Sequence, residues 1–80
     1  SKLSGSKVQF GARVTVANVD TSEEKSFQIV GPEEADLKLG RISVASPLAR
    51  ALLGHEVGEE VRVMMPDGPR SYEILEVSYA

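Results

Sequence analysis

The most decisive stretch of the chain runs from Ile42 to Gly58 and reads ISVASPLARALLGHEVG. Ser46 can accept hydrogen bonds from the first free amides of a helix, and Pro47 suits the first helical position because it has no amide proton to donate. Gly54 permits a left-handed exit. These signals predict a short helix from Pro47 to Leu53, bracketed at both ends. Because two helical turns are unstable alone, this helix needs a sheet to pack against.

The predicted helix has one apolar face, on which Leu48 and Leu52 stand four residues apart. Ala51 lies beside them, while Arg50 turns toward solvent. Outside the helix, apolar residues alternate with the two-residue period of strands that bury one face. The predicted strands are Arg13 to Val19, Ser26 to Val30, Ile42 to Val44, Glu60 to Met65 and Tyr72 to Tyr79. The pattern predicts an α+β fold in which about five mostly antiparallel strands wrap on one short helix.

Two segments interrupt this regular pattern. In the last strand, Tyr72 and Ile74 fit one face whereas Leu75 and Val77 fit the other, so either a bulge near Ile74 or burial on both faces is required. Residues 33–40 form a loop after Gly31-Pro32, since proline cannot donate to a strand ladder. The apolar members of this loop are expected to tuck inward; they are Ala35, Leu37 and Leu39.

Length and composition restrict the class of protein. Eighty residues form one domain with one small core. There is no cysteine, so neither a disulfide framework nor a thiolate metal site supports the fold, and a reducing cytoplasm fits. No apolar run approaches the ~20 residues of a membrane span, and the first residues do not read as a signal peptide. A cytoplasmic protein that does not use a membrane is expected.

The net charge of −3 is unevenly distributed. Between Asp20 and Asp36 there are six acids against one base, whereas the remainder has six acids and eight bases. This balance argues against a stand-alone nucleic-acid binder, which would present a basic stripe to phosphates. A partner with a basic or mixed surface is favoured, although two well-solvated turns explain the acids equally well.

The sequence offers little for catalysis, and no catalytic, cofactor-binding or metal-binding residue is predicted. His55 is the only histidine and follows Gly54, where an exposed or cap-like cation interacts favourably with the helix end. The adjacent carboxylates Glu23-Glu24, Glu33-Glu34 and Glu59-Glu60 point to opposite faces of strands or into solvent, so they are poorly placed to share a metal or a proton. With four aromatic residues and no tryptophan, a deep aromatic pocket is not expected.

The helix segment and its flanking sequence resemble the C-terminal domain of the bacterial Gre transcript cleavage factors, the GreA/GreB family. The motif ISVxSPLARALLG followed by xEVG is the longest match, and the resemblance covers roughly Val8 to Tyr79 in the family's order and spacing. Further matching segments are Phe10 to Val16, Asp20 to Glu24, Gln28 to Gly31, Glu33 to Asp36, Met65 to Gly68 and Tyr72 to Val77.

This resemblance implies an FKBP-like fold and a place in a longer protein. Family members have an N-terminal helical hairpin whose acidic tip serves the catalytic metal of RNA polymerase, and no hairpin precedes Ser1. Residues 1–7 are therefore expected to be the remnant of a linker, and residues 8–80 the docking domain. The implied partner is bacterial RNA polymerase, at the coiled coil on the rim of its secondary channel. Nucleic acid would be met only indirectly, through the elongation complex.

The implied docking residues lie at the start of the helix. Ala45, Ser46 and Pro47 form a rigid corner that matches the family's contact point, and Arg50 and Arg41 are secondary candidates. Ala45 stands where many family members have Asn or Asp, which removes one polar contact. Two other functions stay open: a homologue that docks on polymerase and inhibits transcription, and a prolyl isomerase or chaperone of the FKBP type. The shortage of aromatic residues argues against the latter.

Overall fold

A computed structural model describes residues 7–79. Its elements are β1 (Arg13–Asn18), β2 (Glu24–Val30), β3 (Arg41–Ser43), α1 (Pro47–Leu52), β4 (Glu60–Met65) and β5 (Gly68–Ser78). The five strands form one sheet in the order β3-β2-β1-β5-β4, in which β2 and β3 are parallel and every other neighbouring pair is antiparallel. The predicted α+β fold is confirmed. Apart from Lys7, the predicted linker lies outside the described residues.

Helix α1 crosses one face of the sheet because the two strands it connects, β3 and β4, are opposite edges. Its fully buried side chains are Ala49 and Leu52. Leu48 and Ala51 are half-buried and pack at the border of the core. The predicted apolar face of Leu48, Ala51 and Leu52 thus packs on the core, and Ala49, which the sequence analysis did not name, is buried with it.

The hydrophobic core fills the space between α1 and the covered face of the sheet. The residues of this cluster are Val8, Ala12, Val14, Val16, Ile29, Ile42, Ala49, Leu52, Val61, Val63, Tyr72 and Ile74. Most alternate along their strands, as residues on one face of a sheet must. No buried side-chain nitrogen or oxygen within residues 7–79 lacks a hydrogen-bond partner.

A bulge in β5 resolves the break in the last strand's pattern. Thr15 of β1 faces Glu76, but the next residue, Val16, faces Ile74, so Leu75 has no partner across the ladder. The extra residue shifts the alternation by one, which places Val77 on the same face as Ile74, opposite Val14. Leu75 is left exposed. The predicted bulge is confirmed.

The loop between β2 and β3 differs from the prediction. It contains two single-turn 3-10 helices, Pro32–Glu34 and Leu37–Leu39, and the second is closed by the Asp36 side chain and by Gly40 with a φ of 72°. These turns lie beside β3, at the edge of the sheet, where no second layer covers them. The three apolar residues expected to tuck inward are therefore exposed: Ala35, Leu37 and Leu39.

Truncating Leu52, the fully buried residue at the end of α1, should destabilise the domain strongly. Leu52→Ala is expected to lower the free energy of unfolding by about 2 to 5 kcal/mol, because it leaves a cavity between α1 and the sheet. The same change at Leu39, whose exposed fraction is 60%, should stay within about 0.5 kcal/mol. Urea denaturation followed by circular dichroism measures both. Equal losses in the two variants would contradict the placement of Leu52 in the core.

Candidate functional site

The corner, defined as Ala45 to Pro47, is held by three short-range hydrogen bonds. Ser46 has an extended backbone with φ −70° and ψ 157°, and its Oγ accepts from the Ala49 amide at 3.2 Å. Its amide donates to the Ser43 carbonyl at 2.9 Å, and the Ala45 amide donates to Ser43 Oγ at 3.0 Å. The predicted N-cap at Ser46 and the first helical position of Pro47 are both confirmed.

The sheet fixes this corner in place. The Val44 amide donates to the Val30 carbonyl at 2.8 Å, which extends the parallel β2–β3 pairing to the residue before the corner. At the helical end, the Arg50 amide donates to the Ser46 carbonyl at 2.9 Å. Ala45 and Pro47 remain exposed between these anchors. The corner is thus a solvent-facing turn with an ordered backbone.

An apolar groove of about 330 Å³ opens beside the corner, on the face of the sheet that α1 covers only in part. Ser46, Pro47 and Leu48 form its helical wall. The groove is also lined by Lys25, Phe27, Leu37, Ile42, Met65, Arg70 and Tyr72. Leu37 is 79% exposed and overhangs it from the loop before β3. Ligand and partner sites commonly combine such an apolar lining with a few polar groups.

The charged side chains of the groove lining are basic. Lys25 and Arg70 line it, and no carboxylate does so among the described residues. Arg70 Nη2 donates to Asp67 Oδ2 at the β4–β5 turn. The neighbouring Tyr72 side chain, and then Asp67, raise the pKa of the Arg70 guanidinium, so this cation persists at every working pH.

The structure does not bring all the predicted docking residues together. Arg41 and Ile42 are adjacent on β3 and therefore point to opposite faces. Ile42 lines the groove, whereas Arg41 lines a separate cavity of about 240 Å³ with Gln28, Val30 and Glu34. Arg50 is exposed and stands one turn beyond Ser46, close to the corner but outside the groove lining.

Sequence reasoning missed the groove itself. It considered the four aromatic residues only to argue against a deep aromatic pocket, and two of them, Phe27 and Tyr72, pack in or against the core and also line the groove. It also expected Leu37 in the core. The groove could have been inferred by comparing the length of the helix with the width of the sheet. A six-residue helix spans about 9 Å, whereas five strands side by side span about 19 Å. The helix therefore covers the inward face only in part near Phe27 and Met65, which are half-buried.

His55 pairs with a carboxylate that the sequence did not connect to it. Its Nδ1 lies 2.6 Å from Glu59 Oε1, and Glu59 Oε2 accepts from the Glu56 amide at 3.2 Å. The hydrogen bond with His55 is the main cause that lowers the pKa of Glu59, supported by the Glu56 amide and by the charges of His55 and Lys7. Both side chains are solvent-accessible, which agrees with the exposed position predicted for His55.

The pair is not part of a metal-binding cluster in the part of the chain that the structure describes. Within residues 7–79, no group of three or more His, Cys, Asp or Glu side chains is placed to hold a metal ion. In the same part of the chain, no helix is long and apolar enough to cross a membrane.

Comparisons with known proteins identify this arrangement of sheet, helix and corner. The family described as "Transcription elongation factor, GreA/GreB, C-term" matches residues 3–79. The chain belongs to this family of transcription elongation factors and corresponds to its C-terminal domain.

The relatives agree in sequence and in fold. Transcription elongation factor GreA of Sinorhizobium medicae is 58% identical over 79 residues, which cover 99% of this chain and 50% of that protein. GreA of Hyphomonas neptunium has the same identity and coverage. The crystal structure of GreA factor homolog 1 of Thermus thermophilus superposes with a TM-score of 0.81 at 32% identity, over 98% of this chain and 52% of that one. The chain therefore spans about half the length of the curated relatives it matches.

The N-cap at Ser46 should make a measurable contribution to the stability of the domain. Ser46→Ala removes the acceptor for the Ala49 amide and is expected to lower the free energy of unfolding by about 1 kcal/mol. Ser46→Asp keeps an acceptor and should recover most of that loss. Ser78→Ala, at the exposed end of β5, serves as the control and should leave the urea midpoint unchanged. An alanine variant as stable as the parent chain would contradict the cap.

The Glu59 pair predicts a pH dependence of stability. Because the folded state lowers the pKa of Glu59 below 4.5, its contribution is complete above that value and is lost as the pH falls through the folded pKa. Between pH 6 and pH 3, the parent chain should lose more thermal stability than Glu59→Gln, which has no carboxylate to protonate. Parallel curves of melting temperature against pH for the two proteins would refute the pairing.

Proposed function

We propose that this domain docks a longer elongation factor on bacterial RNA polymerase, at the coiled coil on the rim of the secondary channel. The main supporting observation is that the corner and the groove are contiguous: Ser46 and Pro47 belong to both. One partner element can therefore contact an ordered polar turn and an apolar surface at the same time. Membership of the elongation factor family gives this surface its expected partner.

The corner suits docking because its backbone is ordered before binding. Proline fixes its own φ and restricts the preceding residue, and the Ser46 cap closes the first helical turn. A turn that is already fixed loses little conformational entropy when a partner binds. The exposed ring of Pro47 and the exposed side chain of Ala45 then present contact surface. Arg50, one turn further, adds a positive charge near the same partner.

The groove suits the apolar anchor of the contact. Leu37 is 79% exposed and lines the groove together with Phe27, Ile42 and Met65, so an apolar surface is open to a partner there. An inserted apolar side chain would displace water from this surface. Lys25 and Arg70 favour a partner segment that has a carboxylate beside its apolar residue. The acidic segment from Asp20 to Asp36 can meet a basic part of the same large partner.

The action of the longer protein is part of the same proposal. Its N-terminal hairpin would enter the secondary channel and stimulate the polymerase to cleave backtracked RNA, while this domain holds it in place. The domain itself is proposed to be a non-catalytic cytoplasmic anchor that meets nucleic acid only through the elongation complex. The 80-residue chain should therefore bind polymerase without stimulating cleavage.

Competition on RNA polymerase tests the docking role. The 80-residue chain is titrated into a complex of polymerase with a fluorescent full-length GreA, and displacement is followed by anisotropy. Displacement that saturates, with no gain in RNA cleavage, is the expected result. A chain that folds but fails to compete at any concentration would refute the proposal.

Single substitutions test whether the groove and the corner contact polymerase. Leu37→Ala and Leu39→Ala are a matched pair, since both side chains are exposed on the same turn and only Leu37 lines the groove. Loss of the Leu37 anchor should weaken competition about 5- to 30-fold, whereas Leu39→Ala should compete like the parent chain. Pro47→Ala tests the corner and should also weaken competition. Unchanged competition by Pro47→Ala would remove the corner, and equal effects of the two leucine variants would remove the groove.

A second function is favoured by the similarity to GreA factor homolog 1, which extends to the Thermus aquaticus protein at a TM-score of 0.84. A homologue of this kind could occupy the same site on polymerase and inhibit it. Both functions use this domain equally, and they differ in the part of the protein outside this chain. An RNA cleavage assay with the complete protein separates them: faster cleavage favours stimulation, and slower elongation without cleavage favours inhibition.

A prolyl isomerase function is the least favoured alternative, and the observation behind it is the pair of rings, Phe27 and Tyr72, in the groove. A peptide isomerisation assay with the 80-residue chain addresses it directly. We expect a rate equal to that of buffer, because two rings at the border of an open groove do not enclose a proline.

A further inference from the structure

The residues just before β1 are bound to the loop that follows α1. Val8 is fully buried, its amide donates to the His55 carbonyl at 2.8 Å, and its carbonyl accepts from the Gly54 amide at 2.9 Å. Lys7 forms an antiparallel bridge with Glu56. Lys7 and Val8, here called the strap, therefore belong to the folded domain although they precede its first strand.

The strap is also tied to the other end of the chain. The Tyr79 hydroxyl donates to the Lys7 carbonyl at 2.6 Å, across 72 positions of sequence. The Tyr79 side chain is about half exposed, and Tyr79→Phe removes its hydroxyl while keeping the ring. The hydroxyl is what makes the contact, and its acceptor is a backbone carbonyl at the point where the described chain begins.

The loop that binds the strap, residues 54–59, is hydrogen-bonded to the sheet, and it is called the receiving loop below. The Gly58 amide donates to the Ile74 carbonyl at 2.8 Å, and the Ile74 amide donates to the Glu59 carbonyl at 2.9 Å. Ile74 is fully buried in β5, so these bonds join the loop to the centre of the sheet. Within the loop, Glu59 is held by the His55 side chain and the Glu56 amide.

We propose that the strap, the receiving loop and Tyr79 form a clasp that fixes the direction in which the chain leaves the domain ahead of Lys7, with Tyr79 as a positioning residue. In a longer protein, the clasp would set where the N-terminal part stands relative to the groove. This consequence rests on the proposed function, whereas the clasp itself does not. Helix α1 connects the corner to the clasp, because the helix begins at the corner and its last turn leads into the receiving loop.

Amide hydrogen exchange tests whether the clasp holds the strap. In Tyr79→Phe, the Val8 and Gly54 amides should exchange about 2- to 10-fold faster, as expected for the loss of one hydrogen bond. The Val16 and Val63 amides, inside the sheet, should keep their rates. Equal acceleration of strap and sheet amides, or no change in either, would overturn the role of Tyr79.

Glu59→Gln tests the receiving loop, and Glu60→Gln is its matched control. The two glutamates are neighbours and both are exposed, but only Glu59 is bonded to His55. Glu59→Gln should accelerate exchange at Val8, whereas Glu60→Gln should not. A result in which both variants behave alike would remove the side-chain pair from the clasp.

A spin label tests the direction itself. Because the chain has no cysteine, Ser4→Cys gives a single nitroxide site ahead of the strap. With the clasp intact, paramagnetic broadening should concentrate on one side of the domain, and Tyr79→Phe should spread it more evenly. Even broadening in the parent chain, or an identical pattern in the variant, would overturn the proposal. None of these measurements involves polymerase, so failure of the clasp and failure of the docking role are distinguishable.

Discussion

The packing of one short helix across a much wider sheet is the constraint on which this domain depends. Ser46-Pro47 begins α1 and Gly54 ends it, so the helix cannot lengthen in either direction. It must nevertheless connect the two edge strands of a five-stranded sheet. Ala49 and Leu52 hold it against the sheet, since both side chains are fully buried in the core. Whatever apolar surface the helix does not reach stays open.

The corner and the groove are two consequences of this constraint. The chain needs a sharp, capped turn to pass from β3 into α1, and that turn is the corner. Two inward residues beside it contribute to the lining: Tyr72 at the border of the core, where it is still buried, and Phe27, which is half-buried. The last turn of the same helix leads into the loop that binds the strap. The corner and the loop that binds the strap are thus joined by one helix.

The sequence predicted what depends on local pattern. The alternation of apolar residues located the strands, the Ser-Pro cap located the start of α1, and the break between Ile74 and Leu75 revealed the bulge. It did not predict features that depend on how distant segments meet. Arg41 was grouped with the corner because it is near in sequence, yet strand alternation directs it to the opposite face. His55 and Glu59 meet through the loop geometry, and Tyr79 meets Lys7 through the whole topology.

The two leucines of the loop before β3 were predicted to behave alike, but they differ in their surroundings. Sequence reasoning treated Leu37 and Leu39 alike, because apolar residues in a loop usually gain by burial. Neither is buried, so neither adds much to the stability of the isolated domain. Leu37, however, stands over an apolar groove with basic side chains beside it, where a partner can bury what the fold leaves exposed. Exposure alone does not distinguish the two leucines, whereas the groove does: Leu37 lines it and Leu39 does not, so a partner bound in the groove would bury only Leu37.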